Sequence, residues 1–166
     1  MNTPVLACIG LGANLGDPQQ TLHNALDALR RVPQSRLLAA SRLYQTAAWG
    51  GVAQPDYINA AALIETTLSA HALLQVLLDI ERQAGRVRDA NQRWGPRILD
   101  LDVLLYGEQC IDTPGLRVPH PHLHARAFAL LPLAEIAAEL PFPGHGSVAE
   151  ALQRIDVQGV VPLAVP

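Results

Sequence analysis

Short apolar runs and leucine segments of helical period follow one another here in the order strand, helix, strand, strand, helix, strand. That order constrains the fold more than any other feature of the chain. Val5 to Leu11 is an apolar run expected to pass into a loop through Gly10, Gly12 and Gly16. Asp17-Pro18 then supplies an N-cap and a proline at the first helical position. Leu22, Leu26, Leu29 and Val32 keep helical spacing up to a stop at Pro33. Leu37 to Tyr44 and Tyr57 to Thr66 are the next two strands. The segment Thr46 to Pro55 between them is longer than a tight hairpin needs, which makes it a candidate functional loop. Leu73, Leu77, Ile80 and Ala84 line a second helix that Gly85 should end, and Leu99 to Tyr106 is the fourth strand. Cys110 to Val118 is expected to add edge pairing, and the tail after Pro119 reads as short helices, the last opened by the capping box Ser147-Val-Ala-Glu150. The expected architecture is α+β: a ferredoxin-like split β-α-β core with an antiparallel sheet, helices packed on it and a short helical C-terminal extension.

The 166 residues fit a single domain over 1–166, and an apolar fraction of 49% excludes a disordered chain. Charge is close to balance, with 12 basic and 15 acidic residues, so attraction of the whole molecule to nucleic acid or an anionic membrane is not expected. Every basic residue is arginine. A Walker A loop needs a lysine on the phosphates, so the ordinary P-loop enzymes are excluded and any phosphate recognition falls to guanidinium groups. Cys8 and Cys110 are too few for a disulfide scaffold, and Cys8, inside an apolar run, reads as a small buried hydrophobe. No charged start precedes a long apolar stretch; neither a secretory leader nor a transmembrane helix is expected, and the expected location is the cytoplasm.

The chemistry concentrates in Arg93-Trp-Gly-Pro-Arg97-Ile-Leu-Asp100-Leu-Asp102. Side chains alternate along a strand, so Asp100 and Asp102 share one face while Leu99, Leu101 and Val103 take the other. Two neighbouring carboxylates repel each other, and a divalent cation offsets that repulsion. Arg82, Arg86, Arg88, Arg93 and Arg97 lie just upstream, and hard oxygen ligands beside guanidinium groups suit a metal-bound polyphosphate. The alternative is a charged strand end that pairs internally with those arginines. Tyr57 and Asn59 share a face of their strand and offer a flat heteroaromatic ligand a ring to stack on and an amide to read its edge; Phe128 is a second aromatic of interest.

Two weaker patterns carry less. Gly10-Leu-Gly12-Ala-Asn14-Leu-Gly16 misses the dinucleotide fingerprint because its third position falls on Leu15; its glycines let backbone approach a partner or make a turn. His120, His122 and His124 match none of the usual zinc spacings, and a hydrogen bond from His120 to a phosphate is the better reading.

Taken together, Gly12-Ala-Asn14-Leu15, Tyr44-Gln-Thr46, Gln54-Pro-Asp-Tyr57-Ile-Asn59, Ile80-Glu81, Gly85-Arg-Val-Arg88, the run Arg93 to Asp102 and Val118-Pro-His120 resemble the 6-hydroxymethyl-7,8-dihydropterin pyrophosphokinases of the folate pathway. The resemblance implies transfer of the β,γ-pyrophosphoryl group of ATP to the hydroxymethyl oxygen of the reduced pterin, releasing AMP. It implies that Asp100 and Asp102 hold two Mg²⁺ ions and that Arg86 and Arg97 contact phosphate during transfer. Glu81, Arg88, Arg93, Trp94, Ile98, His120 and Arg126 fall on the ATP side. The pterin lies between Tyr57 and Phe128, with Asn59 and Thr46 at its polar edge. A monomer working on small molecules, without nucleic acid or membrane, completes that expectation. The chain departs from the family pattern at Ala13, at Ala47 and Ala48, at Asp89 and at Pro121.

Other classes compete on the residues alone. An RNA-binding module would show exposed strand aromatics and a wider basic surface, whereas this chain is 4% aromatic with net charge −3. A metal-dependent phosphohydrolase would use the same aspartates and arginines but would leave Tyr57 and Asn59 without a role. A structural or adaptor domain would lack a cleft around Asp100.

Overall fold

Strand β1 (Val5–Ala13) runs through the middle of an antiparallel sheet, flanked by β4 (Tyr57–Thr66) on one side and β5 (Asp100–Tyr106) on the other. The fold is given by a computed structural model, which describes residues 3–47, 55–85 and 98–163. The far side of β4 is covered by two short strands in succession, β2 (Ser35–Ala40) and β3 (Tyr44–Thr46). With α1 (Pro18–Leu29) after β1 and α2 (Ala70–Gln83) after β4, this is the expected α+β split β-α-β arrangement. Among the described residues no helix is long and apolar enough to cross a membrane.

Local chemistry sets the helix starts. The Asp17 carboxylate accepts the Gln20 N–H at 3.1 Å ahead of Pro18, and Ser69 Oγ accepts the Ala72 N–H at 3.1 Å; each such cap contributes about 1 kcal/mol. Leu22, Leu26 and Leu29 of α1 and Leu73 and Leu77 of α2 are buried against one sheet face, among Ile9, Leu11, Ile64, Leu99, Leu101 and Val103. The opposite face, with Cys8, Ala61 and Leu104, is covered by α3 (Ala127–Ala137) and α4 (Val148–Leu152), through Leu130, Leu133 and Val148, with Phe142 from the segment between them. Cys8 is fully buried, as its apolar setting suggested, and burial pushes its thiol up to about 12.

Five expectations need correction. The strand expected over Leu37 to Tyr44 is broken, because Ser41 Oγ accepts the Ala61 N–H at 2.9 Å in place of a ladder carbonyl and donates to Arg42 O, letting the chain turn between β2 and β3. The first strand does not pass into a loop at Gly10; it continues to Ala13, with both glycines inside the ladder. Cys110 to Val118 does not extend the main sheet but folds back as a separate hairpin, β6 (Ile111–Thr113) with β7 (Leu116–Val118). Nor is the tail only helical: β8 (Pro141–Phe142) pairs with β9 (Gly146–Ser147), and β10 (Val161–Pro162) returns to pair with β3. The helix α1 also stops at Leu29, short of Pro33. The capping box is present, with Ser147 Oγ accepting the Glu150 N–H at 3.1 Å.

One carboxylate ties α3 to the broken sheet edge. Glu135 accepts the Arg42 backbone N–H at 2.7 Å, the Arg42 Nε–H at 2.9 Å and the Tyr44 hydroxyl at 2.5 Å. These bonds hold its carboxyl below the usual range in spite of burial.

Candidate active site

A cleft of about 410 Å³ opens on the sheet face that α3 covers. Strand register builds its floor. Tyr44, Asn59, Gly12 and Asp100 stand opposite one another across β3, β4, β1 and β5, and Ala61, Gly10 and Asp102 form the next row on the same face. Thr46 and Tyr57 make the row on the other side. Side chains two residues apart on a strand share a face, so three rows place Tyr57, Thr46 and Asn59 at one end and Asp100 and Asp102 at the other. The roof comes from the chain after β7: His120, Leu123, Arg126, Phe128 and Ala129.

The structure therefore brings Thr46, Tyr57, Asn59, Asp100, Asp102, His120, Arg126 and Phe128 to one cleft. Asp100 is half-buried and Asp102 exposed, while Leu99, Leu101 and Val103 are buried on the opposite face, which is the alternation the sequence required. Glu81 and Ile98 do not line the cleft. Ile98 packs near Gly85, and the Glu81 carboxylate, 2% exposed, accepts the Leu101 backbone N–H at 2.7 Å. Glu81 thus satisfies a donor of the edge strand β5 midway between the two aspartates. Arg86, Arg88, Arg93, Trp94 and Arg97 lie outside the described residues, as does most of the candidate loop Thr46 to Pro55. Leu104 and Leu123 also line the cleft and carried no signal that separates them from ordinary core leucines.

Several polar groups face the cleft. Thr46 Oγ1 is buried and has no hydrogen-bond partner among the described residues, a costly state unless a bound molecule satisfies it. The Arg126 guanidinium lies 5.7 Å from the centre of the Phe128 ring, so the ring presents a face braced by a cation. His120 Nδ1 accepts the His122 N–H at 3.2 Å, which leaves the proton on Nε2 as a donor. Burial, with Arg126 and His122 nearby, holds this imidazole down to about 4 from its ordinary 6.5. It is neutral at physiological pH.

That shift has a measurable consequence. Between about 4 and 6.5 the unfolded chain binds a proton at His120 that the folded chain does not, so stability falls as pH drops through this window. Urea unfolding of the wild type is expected to weaken between pH 7 and pH about 4.5, and His120→Asn to flatten part of that slope. His145, also lowered by burial, contributes a remainder of the same sign. An unchanged slope in His120→Asn would show that its imidazole titrates as in the unfolded chain.

A cleft with aromatic rings, an amide and a hydroxyl unpartnered among the described residues at one end, and paired carboxylates at the other, defines a class: an α+β enzyme of small molecules. Known proteins agree. A family model described as 7,8-dihydro-6-hydroxymethylpterin-pyrophosphokinase (HPPK) matches residues 8–138. Over 152 residues the chain is 45% identical to the 2-amino-4-hydroxy-6-hydroxymethyldihydropteridine pyrophosphokinase of Pseudomonas aeruginosa, covering 92% of this chain and 93% of that protein. It is 44% identical over 154 residues to the protein of the same name from Methylorubrum extorquens, covering 93% and 96%. A crystal structure of Plasmodium falciparum HPPK-DHPS superposes with a TM-score of 0.78 at 14% identity, over 99% of this chain and 50% of that one. At that identity the likeness shows the fold, and the chain spans about half of that longer protein. This chain belongs to the 7,8-dihydro-6-hydroxymethylpterin-pyrophosphokinase family.

Proposed function

We propose that the cleft carries out the family's reaction with the residues assembled in it. The chain transfers a pyrophosphoryl group from ATP to hydroxymethyldihydropterin in folate biosynthesis. The observation that supports this site assignment is the register, with Tyr57 and Asn59 on β4 and Asp100 and Asp102 on β5 sharing one sheet face, two strand spacings or about 10 Å apart.

In this reading Tyr57 and Phe128 stack on the two faces of the pterin, and Asn59 and Thr46 take its polar edge. The acceptor hydroxyl oxygen bonds to the β-phosphorus of ATP as the bond from that phosphorus to the AMP oxygen breaks, and the hydroxyl proton is released. His120 donates from Nε2 to a phosphate oxygen, with Arg126 beside it. Arg86 and Arg97 are assigned to phosphate contact during transfer, and Arg88, Arg93, Trp94 and Ile98 to the nucleotide side. Glu81 serves that side indirectly, by fixing β5. Asp100 and Asp102 suit hard cations, being two carboxylates on one strand face opposite glycines, and we assign two Mg²⁺ ions to them. When bound, the ions neutralise charge on the polyphosphate. Phosphoryl chemistry depends mainly on such positioning and charge stabilisation, so the protein's work is to orient two substrates and exclude water. The same reading has the chain act as a single domain over 1–166, as a monomer and in the cytoplasm.

Product analysis by mass spectrometry tests this directly. Incubation with ATP, Mg²⁺ and reduced hydroxymethylpterin is expected to yield AMP and pterin pyrophosphate, and chelation of the metal is expected to stop it. ADP with a monophosphorylated pterin, or turnover without pterin, would overturn the assignment. Metal titration against a nonhydrolysable ATP analogue is expected to give two ions per chain.

A further inference from the structure

Gly12 sits in the row between Asn59 and Asp100, inside the ladder rather than at a turn. Its φ is not positive, so backbone freedom does not explain a glycine there. Space does. A Cβ at Gly12 would lie 2.7 Å from Asn59 Oδ1, closer than real Cβ atoms come, while its next neighbours are 3.8 Å and 4.0 Å away. The position a side chain would occupy on β1 is taken by the carboxamide of Asn59, reaching across from β4 toward the strand row that ends in Asp100.

We propose that Gly12 is a positioning residue for the pterin acceptor: by having no side chain it lets the Asn59 carboxamide lie down across β1, and so sets how deep and how close to Asp100 the pterin is read. This rests on the reaction assigned above and extends it to a residue that touches no substrate. An Asn59 amide lifted by a methyl group would hold the heterocycle higher in the cleft, and its hydroxymethyl arm farther from the carboxylate end. Displacement by about 1 Å is enough to cost a transfer reaction on the order of 100-fold. The fold has little at stake, because among the described residues the only atom under 3 Å is the tip of one side chain, and it can swing away. Gly12→Ala therefore separates function from folding.

The test is a double-mutant cycle with Gly12→Ala, Asn59→Ala and the pair. In the wild type, calorimetric binding of reduced hydroxymethylpterin and release of AMP test the reaction reading, independently of any variant. If Gly12 acts through Asn59, Gly12→Ala weakens pterin binding about tenfold, the worth of one or two hydrogen bonds. Binding of Mg²⁺-ATP changes by less than about twofold, and adding Gly12→Ala to Asn59→Ala brings no further loss of pterin beyond that margin. Unchanged pterin affinity in Gly12→Ala overturns the proposal, as does an equal loss in the Asn59→Ala background. Should Gly12→Ala fold poorly, the pair decides: removal of the Asn59 carboxamide must restore the melting temperature, and failure to do so shows that the methyl group collides with something else.

Discussion

Asp100→Ala and Asp102→Ala are each expected to lower turnover by about 10³-fold while the protein stays folded. Either change removes a hard oxygen donor from the end of the cleft where phosphate charge must be neutralised. The fold has little reason to respond, because Asp102 is exposed, Asp100 is half-buried, and the strand's structural share is carried on its other face by Leu99, Leu101 and Val103. Circular dichroism and thermal melting alongside single-turnover rates separate the outcomes. Activity lost only in proportion to unfolded material would make that aspartate structural.

The second large effect is on the acceptor. Tyr57→Ala and Phe128→Ala each remove one face of the proposed stack and are expected to weaken pterin binding by about 1–3 kcal/mol, the range for stacked heterocycles. Affinity for Mg²⁺-ATP should change much less. The two residues come from opposite walls, Tyr57 from β4 in the floor and Phe128 from the first turn of α3. Those walls are joined by Glu135, whose bonds to Arg42 and Tyr44 keep α3 against the sheet edge whichever aromatic is lost. Titration with each ligand decides. Equal losses for pterin and nucleotide would indicate that the cleft has collapsed rather than lost a contact.

Much of this molecule was readable before its structure. Asp17-Pro18 marked a helix start, Tyr57 to Thr66 gave a strand with its observed bounds, and the Asp100–Asp102 alternation placed both carboxylates on one face. These features are local, set by caps and by a period of two. What escaped depends on partners distant in sequence. Ser41 breaks a strand only because it meets the N–H of Ala61, and β10 exists only because β3 offers it an edge. Gly12 gave the appearance of a turn residue because nothing in its neighbourhood reveals that Asn59 lies across it. The candidate site was legible for another reason: its residue types are unusual for a core, whereas Leu104 and Leu123, which line the same cleft, are not. The arginine positions from Arg86 to Arg97 lie outside the described residues.

The hydrogen bond from Leu101 to Glu81 reaches beyond the cleft. Along the sheet order of the described residues β5 is an outermost strand, and an outermost strand with apolar residues on one side is a template for another chain to pair with. An intruding strand would have to displace a buried carboxylate from the Leu101 N–H, which makes pairing there less favourable than at a free ladder position. The residue that steadies the strand between the two aspartates thereby also guards it against edge-to-edge self-association while newly made copies fold side by side.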